Sequence, residues 1–125
     1  IGADVVPALI ARNQRLYGHE DRKFVVLDIT RDPIPTVDVI LCRDCLIHLS
    51  FRHIAATVTN FRQSHSRYLL ATTHTTVPEN QDIATGQWRS VNLQLPPFNF
   101  PPPLKIIIED PELGKCLGLW RLAEL

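Results

Sequence analysis

The sequence runs to 125 residues, enough for one domain with an ordinary buried core and too short for two. Thirteen Lys and Arg balance thirteen Asp and Glu, so no basic excess exists to coat a phosphate backbone, and nucleic acid is disfavoured as a partner. Hydrophobic residues at 45% argue against disorder, and no apolar run approaches the ~20 residues that cross a bilayer. Three cysteines, an odd count, argue for reduced thiols in a cytoplasmic setting.

In chain order, Ile1 to Val6 reads as the end of a strand entering a turn. Pro7 then suits the first turn of a helix, where its missing N–H costs nothing. Val6, Leu9, Ile10, Leu16 and Tyr17 predict its apolar face, and Gly18 its stop. The runs 24–27 and 37–42 read as short strands covered on both faces. Ser50 caps a second helix with an apolar face of Phe51, Ile54, Ala55, Val58 and Phe61. A strand follows at 68–73, then an irregular stretch, 74–103, long enough to be functional or mobile. Its prolines at 96, 97, 101, 102 and 103 favour an extended path. Two strands, 104–108 and 116–122, close the chain as a hairpin.

Apolar strands alternating with helices predict an α/β sandwich, a mostly parallel sheet between helices, with an antiparallel C-terminal strand near one edge. Ligands of such sheets bind beyond the carboxyl ends of the strands. Those ends carry Asp4, Asp28, the run Cys42-Arg43-Asp44, and Thr72-Thr73. An acidic residue ending a strand suits ribose hydroxyls when it stands ~20 residues after a glycine-rich turn. Counting back from Asp4 puts that turn ahead of residue 1, and the five glycines present contain no G-x-G. The plainer alternative has Asp4 capping the following helix and Asp28 stabilising a turn.

Together, Gly2-Ala-Asp-Val-Val-Pro7, Phe24-Val-Val-Leu-Asp-Ile29, the segment 37–49, Tyr68-Leu-Leu-Ala-Thr72 and the closing strand 116–122 resemble the downstream part of a class I S-adenosylmethionine-dependent methyltransferase. The resemblance covers the chain apart from the 74–103 stretch. It implies a Rossmann-like three-layer sandwich over 1–125, and S-adenosylmethionine as cofactor. In it Asp4 binds the ribose hydroxyls and Val5 packs on the adenine. Asp28 accepts the adenine amino group while the Ile29 N–H meets a ring nitrogen. Cys42 and Arg43 border the methionine end, and Leu46 and His48 line the approach to the methyl donor. The family's first strand and glycine-rich loop have no counterpart here, and that strand lies centrally in the family's sheet. With no Met in the sequence and Ile at position 1, the chain reads as an N-terminally incomplete fragment that binds cofactor poorly alone.

Methyl transfer needs little acid–base help, because the cofactor carries the activated methyl. If the acceptor must lose a proton, His48 and Asp44 are the nearest bases; the bland alternatives are a His48 bonded to backbone and an Arg43 paired with Asp44 or Asp38. In the 74–103 stretch, Trp88, Phe98 and Asn99 are candidates for acceptor recognition, against a packing role for the rings. Nothing distinguishes a small-molecule acceptor from a protein side chain. Three further readings compete: a non-catalytic methyltransferase-like scaffold, a thiol–disulfide function at Cys42-x-x-Cys45, and a zinc site of Cys42, Cys45, His48 and Cys116.

Overall fold

In a computed structural model that describes all residues 1–125, the strands form two sheets. β1 (Gly2–Asp4) and β2 (Phe24–Val26) pair in parallel, with α1 (Pro7–Tyr17) packed against them. The second sheet holds β3 (Val39–Cys42), β4 (Tyr68–His74), β5 (Lys105–Asp110) and β6 (Lys115–Arg121) in the order β3-β4-β6-β5. β3 and β4 are parallel, and β6 runs antiparallel to both its neighbours. One reversed strand therefore stands next to the sheet edge, as the apolar pattern predicts. β1 and β3, which follow one another around the cleft described below, share no hydrogen-bonded pairing.

α2 (Phe51–Gln63) starts at Ser50, whose Oγ accepts the His53 N–H at 3.3 Å. It buries Ile54, Thr57 and Phe61, and Ile54 and Phe61 join Leu69, Ala71 and Trp120 in one core. The spacing 54, 57, 61 replaces the expected Ala55, which is exposed because the helix is turned slightly toward the threonine. α1 departs further: only Ile10 is buried, and Val6, Leu9, Leu16 and Tyr17 lie open, since β1 and β2 together offer it just a narrow surface.

The three-layer arrangement is present only in part. Ile40, Cys42, Leu69, Ala71 and Trp120 face α2, whereas Val39, Leu41 and Ile107 on the opposite face of the same sheet are substantially exposed. Strands expected to be covered on both faces are covered on one.

The irregular stretch begins at residue 75, because His74 still belongs to β4. It is not loose. Val91, Leu93 and Phe100 are fully or nearly buried, and Phe100 meets the Trp120 ring edge-on at 5.3 Å. Asn80 organises it: its Nδ2 donates to the Asn92 and Pro96 carbonyls at 2.8 and 2.9 Å, and its Oδ1 accepts the Asn92 N–H at 2.8 Å. Two glycines are obligatory near the closing hairpin. Gly114 turns the chain with φ +61, and at Gly118 a Cβ would strike the Trp120 ring.

Candidate functional site

A cleft of about 670 Å³ opens where β1 and β3 face one another. Its lining is mostly apolar, with Ile34, Val39, Leu41 and Phe61 among it, and Asp4, Arg43, Asp44 and His48 bring polar groups to it. Because β1 and β2 are parallel and in register, Gly2 to Phe24 and Asp4 to Val26, Asp4 and Asp28 emerge from the same end of the sheet. Cys42 ends β3 beside the same cleft.

Asp4 is half-buried, and its Oδ1 accepts the Val6 N–H at 2.8 Å. That local turn swings the chain into α1 and leaves Val5 58% exposed, outside the cleft lining. The second Asp4 oxygen has no protein partner and remains able to accept a hydroxyl.

Asp28 lies behind the lining, in a tight turn of its own. Its Oδ1 accepts the Thr30 N–H at 3.0 Å and hydroxyl at 2.7 Å, and its Oδ2 pairs with Arg31 Nε at 3.1 Å. The Thr30 bonds above all, with the Arg31 charge, hold the Asp28 carboxyl below its ordinary range. The turn is anchored from α2 by Asn60, whose Nδ2 donates to the Ile29 and Asp32 carbonyls at 2.9 and 2.8 Å. Ile29 does line the cleft, and its N–H donates to no group of the protein. This leaves a free backbone donor at the cleft wall.

The other wall is the loop after β3. Arg43 pairs chiefly with Glu109, Nε to Oε1 at 2.7 Å, with Asp44 more distant at 3.7 Å. Asp38 instead stands 4.0 Å from Arg67, so neither partner expected for Arg43 is its main one. Lys115 Nζ lies 2.8 Å from Asp44 and 3.5 Å from Glu109, closing a ring of alternating charge between this loop and the β5–β6 hairpin. The Lys115 bond holds the Asp44 carboxyl low, which makes Asp44 a poor general base. Its backbone takes φ +53, fixed by its N–H donating to Thr72 Oγ1 at 2.8 Å.

His48 is exposed at the end of the 3-10 turn Leu46–His48. Its Nδ1 lies 2.9 Å from the Gln87 carbonyl, the backbone-bonded alternative of the sequence reading. The ligand atoms of Cys42, Cys45, His48 and Cys116 do not converge within 4.8 Å as a metal centre requires. Trp88 is 57% exposed, in a segment tied to this turn by the Gly86 N–H donating to the His48 carbonyl at 2.8 Å. Phe98 packs edge-on against Phe51 at 5.2 Å, and Asn99 is exposed, its amide 3.4 Å from the Pro97 carbonyl. Phe98 therefore serves the core.

No protein-family profile matches the sequence, and no curated protein sequence matches it significantly. Solved structures do. Human N-acetylserotonin methyltransferase, determined in complex with S-adenosylmethionine, superposes over 93% of this chain with a TM-score of 0.64 at 10% identity. The chain has the class I methyltransferase fold. It spans 38% of the length of that human enzyme. Magnesium protoporphyrin IX methyltransferase from Synechocystis PCC 6803, solved with bound S-adenosylhomocysteine, overlaps 66% of this chain and 46% of its own at 15% identity and a TM-score of 0.49, too slight to add to the comparison. No helix is long and apolar enough to cross a membrane.

Proposed function

We propose that the chain supplies the adenosine-binding and acceptor-facing half of an S-adenosylmethionine-dependent methyltransferase. The observation that carries this reading is the cleft itself: Asp4, the unpartnered Ile29 N–H and the Cys42-Arg43 loop all open onto one apolar space of ligand size. The residues present fit an adenosine group. Asp4 would accept from the ribose hydroxyls, Ile29 would meet the ring, and Asp28 would act mainly by shaping the turn that presents Ile29. Cys42 and Arg43 would border the methionine portion. The bound cofactor would supply the electrophilic methyl; the protein orients the acceptor and excludes water.

His48 would be the base for an acceptor hydroxyl or ammonium: with Nδ1 engaged by the Gln87 carbonyl, its Nε2 is the atom that would take the proton. The acceptor is a small molecule or a protein side chain, approached from the side of residues 84–89.

The test is titration with S-adenosylhomocysteine, first of the 125-residue chain, then of a longer protein carrying an upstream strand and glycine-rich loop. The longer protein should bind at micromolar concentrations and the short chain far more weakly. Asp4→Asn should weaken binding by about tenfold, the loss of one charge-assisted bond pair. Unchanged affinity in Asp4→Asn would overturn the assignment. The scaffold reading draws on the local engagement of both Asp28 oxygens. Absence of binding by the longer protein would favour it.

A further inference from the structure

In the reading above Cys42 borders the methionine portion and Cys45 has no role, yet both stand on the wall of one cleft, three residues apart. Cys42 is the buried last residue of β3, and Cys45 is the half-buried residue that starts the 3-10 turn. Between them the left-handed Asp44, held by Thr72 and Lys115, folds the chain back on itself. Both residues line the same solvent-open cleft, Cys42 buried in its wall and Cys45 half-buried. We propose that Cys42 and Cys45 form a reversible thiol–disulfide site in the cleft wall, oxidised by hydrogen peroxide and restored by small thiols.

The interaction of the two thiols is the main influence that lowers the Cys45 thiol below its ordinary range, and the same neighbour, then burial, push Cys42 up. The nearby Asp4 carboxylate and burial oppose the Cys45 shift without reversing it. Cys45, the more exposed of the two, is the attacking thiolate, and the buried Cys42 is the resolving thiol. In the first step the Cys45 sulfur displaces hydroxide from peroxide and becomes a sulfenic acid. In the second, the Cys42 sulfur attacks the Cys45 sulfur, the Cys42 proton leaves with the sulfenic hydroxyl as water, and the S–S bond forms. Two thiols are oxidised by two electrons, and one peroxide is reduced to two waters. Cys116 stands apart: it is buried on β6, beside Thr73 of β4, and its thiol donates to the Gly114 carbonyl at 3.5 Å.

Trypsin provides a direct readout, because Arg43 lies between the two cysteines. After brief peroxide treatment of the folded chain, an unreduced digest should contain peptides 32–43 and 44–52 joined, and the intact protein should have lost two hydrogens. Dithiothreitol should reverse both. Without oxidant, iodoacetamide should label Cys45 about tenfold faster than Cys116. Cys42→Ser should leave Cys45 as its sulfenic or sulfinic acid, with no cross-link. The proposal is overturned if peroxide leaves the wild-type mass unchanged, carries Cys45 to the sulfinic acid with Cys42 intact, or oxidises Cys116 first. None of these measurements depends on cofactor binding, so methyl transfer and the redox site stand or fall separately.

Discussion

Arg89 offers the sharpest test of how the irregular stretch is held. Its side chain is 8% exposed and has no carboxylate within ion-pairing distance. Instead its guanidinium donates to three backbone carbonyls, Leu46 at 3.0 Å, Leu49 at 2.8 Å and Gln81 at 3.2 Å, and lies 5.7 Å from the centre of the Phe51 ring. Burial pulls the Arg89 pKa down from its ordinary value, which records the cost of keeping that charge out of water. Arg89→Met keeps the apolar stem and deletes the three bonds. Hydrogen bonds from a charged donor contribute about 1.5–3 kcal/mol each, and the orphaned carbonyls lose that in full. Relief of the desolvation penalty returns several kcal/mol of it. The balance is a loss of about 3 kcal/mol. For a chain of this length that lowers the melting temperature by about 11 °C, measurable by circular dichroism or calorimetry. Arg89→Lys, able to reach one carbonyl, should fall between. A melting temperature within about 2 °C of wild type in Arg89→Met would show that the guanidinium does not staple residues 81–89 to the 3-10 turn.

His74 sets an acid limit on stability. It is 1% exposed, its Nδ1 accepts the Val91 N–H at 3.4 Å, and burial lowers its pKa from 6.5. The unfolded chain therefore binds a proton there more readily, so the stabilisation is full above about pH 6.5 and drains away as pH falls through the folded value. Urea midpoints between pH 7.5 and 5 should decline, and His74→Gln should flatten that slope. The lowered Asp28 and Asp44 values act in the same direction at more acid pH, below their ordinary 3.8. Thr57 Oγ1 is buried on α2 without a hydrogen-bond partner, so Thr57→Val should raise unfolding free energy by about 1 kcal/mol; a loss would mean the hydroxyl is satisfied in solution. Phe98→Ala should cost about 2 kcal/mol through the Phe51 contact, whereas Trp88→Ala, at an exposed position, should leave the denaturant midpoint unmoved.

The strands were legible because short runs such as 37–42 and 68–73 are apolar between turn residues, and each observed strand falls within one or two residues of the run. Ser50 and Pro7 marked both helix starts for the reasons they occupy them. What stayed hidden depends on partners far away in sequence. Arg89 reads as a surface charge until the carbonyls of Leu46 and Leu49, some forty positions earlier, come to surround it. Asn60, Lys115 and Glu109 likewise gain meaning only once the fold sets them against the Asp28 turn and the Arg43–Asp44 loop. α1 misled for the opposite reason: its apolar stripe is real in sequence, but most of the surface it could cover is missing from β1 and β2. At the site, the strand-end rule located Asp4 and Cys42 on one cleft, while the inward turn of Asp28 was set by Thr30, a neighbour whose hydroxyl carries no periodic signal.

The segment joining the two sheets has a mechanical meaning. Residues 27–38 bridge them, and that bridge is riveted to α2 by Asn60 and to the turn after α2 by Thr36 Oγ1 on the Ser64 carbonyl at 2.7 Å and the Val37 N–H on Ser66 Oγ at 3.0 Å. Asp4 rides on one jaw and Cys42 through His48 on the other, so this strap is the pivot of a pair of calipers. Its stiffness governs the gape: cutting the Asn60 rivet should let the Asp4 jaw swing while the larger sheet keeps its melting point.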